Sequence, residues 1–119
     1  MLEDKIYLNV VKIIIEHYTS NNIDVWIKHN GDSYTLPITQ NFKVIIKSNK
    51  FQNKNGLEKF TKPYNSIIAT LYYDNTYNDI ILSLNPIDAI NTLDYYIKGV
   101  CKGMNQVLDG AWKVYFENK

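Results

Sequence analysis

A chain of 119 residues with 45% apolar and 21% charged side chains is long enough to bury a core without disulfides or metal. It is too rich in hydrophobic residues to be a disordered tail. A net charge of +1 selects neither an acidic nor a basic partner, and because every basic residue is lysine a bidentate guanidinium grip on phosphate, carboxylate or guanine is excluded.

The first element reads as a helix from about Glu3 to Thr19. Lys5, Asn9, Lys12 and Glu16 recur at helical spacing as one narrow polar stripe. Apolar residues fill most of the remaining surface, an arc wide enough to predict cover on two sides. Strand is the competing reading, but Ile13-Ile14-Ile15 would put isoleucine on both faces of a strand. Residues Ile23 to Ile38 then read as a β-hairpin about Asn30-Gly31, a pair suited to a type I′ turn. Folding about it sets Val25 opposite Leu36 and Ile27 opposite Tyr34. Pro37, with no N–H, predicts an edge strand or a strand end. Phe42 to Ser48 alternates again, with Phe42, Val44 and Ile46 on one side.

Asn49 to Asn65 reads as an Asn- and Lys-rich loop. Ser66 to Tyr73 and Asp79 to Leu84 form a second hairpin across an Asp74-to-Asn78 turn, with Ile67, Ala69 and Leu71 sharing a face. Asn85-Pro86-Ile87-Asp88 marks a helix start: an N-cap, proline at the first helical position and a carboxylate near the positive helix end. The helix carries Ile90, Leu93, Ile97, Val100, Cys101, Met104 and Leu108 on one stripe and is expected to stop at Gly110. Trp112, Val114 and Phe116 alternate as a final short strand. The expectation is a single α+β domain over residues 1–119. Its mostly antiparallel sheet has five to six strands, and the N-terminal and C-terminal helices pack on it in the order α-β-β-β-β-β-α-β.

Chemical machinery is hard to find. His17, His29 and Cys101 fall on three different elements, so no metal or cofactor site is expected. Gly99-x-x-x-Gly103 lies inside a helix and is no phosphate cradle. Cys101 falls on the apolar stripe and reads as inert packing, and His17 as a surface or capping residue near a helix end. No catalytic residue is assigned. A metal-free enzyme would need a concave pocket gathering His17, His29 or several tyrosines.

Three surfaces are suited to binding. Lys43, Lys47, Lys50, Lys54, Lys59 and Lys62 against the single Glu58 give one segment a balance of +5, interleaved with Phe51, Phe60 and Tyr64. That mixture suits single-stranded nucleic acid, and solvated lysines are its plain alternative. Between Pro63 and Ile97 there is no basic residue but four aspartates, and Tyr72, Asp74, Tyr77, Asp79 and Tyr95 form an acidic, aromatic patch for a partner protein. Lastly, Trp26, Ile45, Ile68, Tyr72 and Ile81 are predicted to point away from the first core layer. The N-terminal helix, a second copy of the chain or another partner is expected to cover them. Gly99 and Gly103, one turn apart, allow close approach near Tyr96.

The lone Cys101 suits a reducing compartment, and Glu3 and Asp4 without an Ala-x-Ala-like exit are unlike a signal peptide. With no apolar run long enough for a bilayer, cytoplasm is the expected location and a membrane is not an expected partner. Abundant Asn, Ile and Tyr without arginine is the bias of an AT-rich genome. In size and composition the chain resembles the immunity and anti-defence proteins of mobile elements, a likeness of style that rests on no motif. It implies a non-enzymatic inhibitor that occludes a toxin, such as a nuclease, or a defence effector. The alternative is a nucleic-acid-binding module using the lysine-rich segment.

Overall fold

The structure, a computed structural model, describes residues 2–27, 33–48 and 67–119, with side chains described from Leu8 to Ile27, Ser33 to Lys47 and Ile67 onward. The elements are α1 (Leu2–Ser20), β1 (Trp26–Ile27), β2 (Ser33–Thr39), β3 (Phe42–Ser48), β4 (Ile67–Tyr73), β5 (Thr76–Leu82), α2 (Pro86–Gly103) and α3 (Gly110–Glu117). The strands form one antiparallel sheet in the order β1-β2-β3-β4-β5, each paired with its neighbour in the chain. This is an α+β fold with three described helices.

Alternation decides the sheet faces as expected. Leu36, Phe42, Val44, Ile46, Ile67, Ala69, Leu71 and Leu82 are buried on one face. They pack against Val10, Val11, Ile14 and Tyr18 of α1, Ala89, Leu93 and Ile97 of α2, and Trp112 and Tyr115 of α3. Each fully buried aliphatic side chain contributes about 1.5–3 kcal/mol relative to exposure. Ile27 lies opposite Tyr34, the pairing that folding about Asn30-Gly31 requires, although the turn itself lies outside the described residues. Pro37 falls two residues from the end of β2 and beyond the stretch that β1 pairs with, the strand-end position expected of it, although β2 itself lies between β1 and β3. The proline is tolerated because β1 pairs only with Tyr34 and Thr35, so no β1 partner needs the missing N–H. The Pro37 carbonyl instead accepts from the Trp112 indole Nε1 at 3.0 Å.

Over its described side chains, from Leu8 onward, helix α1 is not covered on two sides. Among these the stripe Val10, Val11, Ile14, Tyr18 is buried, while Leu8 and Ile13 stay 56% and 47% exposed. Its C-terminus closes with Asn22 at φ 65, the Asn22 and Ile23 N–H groups donating to Thr19 and Tyr18 carbonyls at 3.0 Å. The α2 start is as predicted: Asn85 Oδ1 accepts from the N–H of Ile87 (3.0 Å) and Asp88 (3.2 Å), with Pro86 following. Its end is earlier than Gly110. Asn105, at φ 54, reverses the chain while Asn105 and Gln106 donate to the Lys102 and Cys101 carbonyls, leaving Met104 and Leu108 beyond the helix. Gly110, at φ +57, instead leads into α3.

The final element is a helix, not a strand. Trp112, Val114 and Phe116 alternate, but Ala111, Trp112, Tyr115 and Phe116 also follow helical spacing. That second set faces the core, and Val114 is 56% exposed. Partners far along the chain select the helix: Pro37 for Trp112 and Asp94 for Tyr115.

Candidate functional site

The second sheet face points away from all three helices. Cross-strand pairing lays out two rows on it: Trp26, Thr35, Ile45, Thr70, Asp79 and Pro37, Lys43, Tyr72, Tyr77. Ile68 and Ile81 are paired one step further along. The outward set expected from the sequence, Trp26, Ile45, Ile68, Tyr72 and Ile81, therefore shares one face. Helix α1 does not cover it, because its buried stripe belongs to the opposite core. Ile45 and Ile68 are nonetheless buried, as are Thr35 and Thr70, whereas Trp26, Tyr77 and Ile81 are 56%, 64% and 59% exposed.

The Pro37–Tyr77 end of this face is a shallow groove of about 710 Å³ containing Trp26, Lys43, Tyr72, Asp74 and Tyr77. The Tyr72 and Tyr77 rings lie 5.8 Å apart, and the Lys43 ammonium sits 5.5 Å from the Tyr72 centroid, within cation–π range. Thr70 Oγ1 donates to Asp79 Oδ1 at 2.6 Å, which satisfies the buried hydroxyl and fixes the carboxylate. The β4–β5 turn is tighter than expected: Asp74 and Asn75 alone connect Tyr73 to Thr76, at φ 52 and 61, the positive pair a type I′ turn needs.

Residues grouped by sequence into one acidic patch are divided by the fold. Tyr72, Tyr77 and Asp79 lie on the outer sheet face. Tyr95, 75% exposed, lies on α2 beside a separate groove of about 810 Å³ that also contains Lys98 and Lys102. Asp74 borders both grooves. The segment's excess of negative charge is thus offset in space by Lys43, Lys98 and Lys102. Asp94 is not on the patch at all.

Asp94 is buried at the junction of the three helices. Its Oδ1 accepts from the Tyr18 hydroxyl at 2.8 Å, and its Oδ2 accepts from the Tyr115 hydroxyl at 2.5 Å and from the Lys119 ammonium. Tyr115 has spent its one proton on Asp94, so its oxygen accepts from His17 Nε2–H at 2.9 Å. Burial, reinforced by the Asp94 charge, pushes the Tyr18 hydroxyl far above the ordinary tyrosine range; burial and the hydrogen bond to Asp94 do the same for Tyr115. A shallow groove of about 320 Å³ over this cluster contains His17, Asn21, Tyr115 and Lys119. Sequence reading did not find this cluster, although helical spacing carried a signal. Asp94 follows Ile90 by four and precedes Ile97 by three, which places it beside the buried stripe.

Of the lysine-rich segment, Lys43 and Lys47 lie on the outer face of β3, while Lys50, Lys54, Lys59 and Lys62 lie outside the described residues, as does His29. Cys101 is buried, and burial raises its thiol pKa. Among the described residues no group of three His, Cys, Asp or Glu side chains converges to hold a metal ion, and no helix is long and apolar enough to cross a membrane. No family model matches the chain, and neither the curated proteins nor the solved structures give a match.

Proposed function

We propose that this is a non-enzymatic, cytoplasmic binding protein that acts by occlusion, docking another protein on the outer sheet face near the β4–β5 turn. The observation that carries this reading is the joint exposure of Trp26, Tyr77 and Ile81 on a face against which no described helix packs. Two exposed rings and an exposed isoleucine on one face suit a protein interface, giving large contact area at low entropic cost. Asp74 and Asp79 on the same hairpin favour a basic partner, such as the active site of a nuclease toxin or a defence effector, for which opposite charge speeds encounter. The cluster at Asp94 supports a non-catalytic reading. Its tyrosines are held as neutral donors and its carboxylate already accepts from three groups, the Tyr18 and Tyr115 hydroxyls and the Lys119 ammonium, so neither is poised as a base.

The test is affinity capture from the native host with the wild-type chain and with a Trp26→Ala/Tyr77→Ala variant. A protein retained by the wild type and by a Lys113→Ala control, and lost by the double variant, is expected. Equal recovery by the double variant overturns the placement. Neutralising Asp74→Asn/Asp79→Asn should slow association several-fold while leaving dissociation nearly unchanged. Asparagine is the right replacement because it tolerates the positive φ of Asp74 and still accepts from Thr70.

A nucleic-acid reading is favoured by one observation, the Lys43 ammonium over Tyr72 beside the exposed Tyr77 and Trp26. Rings and cations side by side on one sheet face stack and neutralise single strands. Oligonucleotide affinity that falls steeply with salt would select it over the protein partner.

A further inference from the structure

Helix α2 buries Ala89, Leu93, Ile97 and Cys101 and turns its opposite side to solvent. The centre of that exposed side is Tyr95, 75% exposed. Asp88 lies seven residues before it and Lys102 seven after, both exposed. Seven residues is close to two helical turns, so all three lie on one line within about 20° of each other per step. Four residues beyond Tyr95, Gly99 leaves a strip without side chain, where an added Cβ would meet nothing within 4 Å; the same holds at Gly103. One helix face thus bears a negative end, a projecting ring, an empty strip and a positive end.

We propose that two copies of the chain associate through this face, their α2 helices antiparallel about a two-fold axis at Tyr95. The sequence is complementary to itself only in that orientation. Antiparallel pairing sets Asp88 of each copy against Lys102 of the other, whereas parallel pairing sets like charge against like at both ends. The two-fold brings the Tyr95 rings together at the centre, and each ring finds room over the other copy's Gly99, a projection seated in a gap as in helix packing generally. At a shallow crossing of about 20°, charges about 10 Å from the axis are displaced by only some 3–4 Å, within reach of a lysine side chain. Because the contact is isologous, each favourable pair occurs twice. This surface adjoins the outer sheet face at Asp74, which borders both grooves, but its pairing residues lie on α2 and the proposal does not depend on what binds the sheet.

Sedimentation velocity over a wide concentration range tests the pairing. The wild-type chain should pass from monomer to dimer. Lys102→Asp and Asp88→Lys should each weaken association at least about tenfold, since each converts two attractions into two repulsions. An equimolar mixture of these two variants should dimerise again, because each supplies the charge the other now lacks; this recovery also shows that both variants fold. Tyr95→Cys should oxidise to a covalent dimer, and Lys113→Cys should not. The Trp26→Ala/Tyr77→Ala variant should dimerise as the wild type does, which keeps this result distinct from the docking surface. A chain monomeric at all concentrations, a dimer indifferent to both charge reversals, or a mixture no stronger than its components overturns the proposal.

Discussion

Replacing Tyr18 with phenylalanine removes one oxygen from a fully buried ring and changes the volume little. It strips Asp94 Oδ1 of the hydroxyl that Tyr18 donates, while Oδ2 keeps Tyr115 and Lys119. A hydrogen bond to a charged group is worth about 1.5–3 kcal/mol, and the carboxylate oxygen left without it is buried. Tyr18→Phe should therefore cost about 2 kcal/mol and lower Tm by about 8 °C for a domain of this size. Tyr115→Phe should cost less, about 1 kcal/mol, because Lys119 still reaches Oδ2. The two hydroxyls also set the alkaline limb of stability. In the unfolded chain tyrosine ionises near pH 10, but in the folded chain both pKa values are raised. Above roughly pH 10 the unfolded state holds fewer protons than the folded one, so the contribution present at lower pH is lost as pH rises, at up to about 1.4 kcal/mol per unit per tyrosine. Urea unfolding at successive pH values reads both effects. The wild type should lose up to about 2.7 kcal/mol per unit from these two groups, and Tyr18→Phe about half that. A cost below about 0.5 kcal/mol, or an alkaline slope equal to that of the wild type, would refute the clamp.

Asn105 supplies the left-handed residue that ends α2, so Asn105→Ala should cost about 1 kcal/mol and Asn105→Gly nothing or less; equal denaturation midpoints for the two would contradict this. Cys101 is 4% exposed and burial raises its thiol pKa, so a thiol reagent should label it only through unfolding. Labelling should accelerate with urea and in Tyr18→Phe, and fast labelling of the native chain would show the site to be open.

The sequence made local features readable and left distant ones obscure, and particular residues show why. The α2 start follows from Asn85 and Pro86, whose capping geometry needs nothing beyond the next three residues. The inner sheet face follows from Phe42, Val44 and Ile46, since alternation alone assigns a side. The α3 helix is hidden from the sequence because Trp112–Phe116 satisfies both periods, and the contacts that choose between them lie 75 and 21 residues away. Glycine is the usual helix stop, but asparagine also adopts positive φ, here at Asn22, Asn75 and Asn105. The acidic patch is divided between two elements for a related reason. Counting charge along a segment ignores that a hairpin and a helix turn their residues to different sides, and that Asp94 turns inward.

The nearest-neighbour order of the sheet bears on how the chain reaches its native state. Each strand docks on the one made just before it, so the sheet can grow by adding hairpins, with low contact order except for the closure between β3 and β4. By the same reasoning, union of the two ends is expected to come late. Tyr18 must find Asp94 across 76 intervening bonds of sequence, and His17 must find Tyr115 across 98. A polar latch assembled after the sheet would affect mainly how fast the molecule opens, leaving its rate of formation almost untouched.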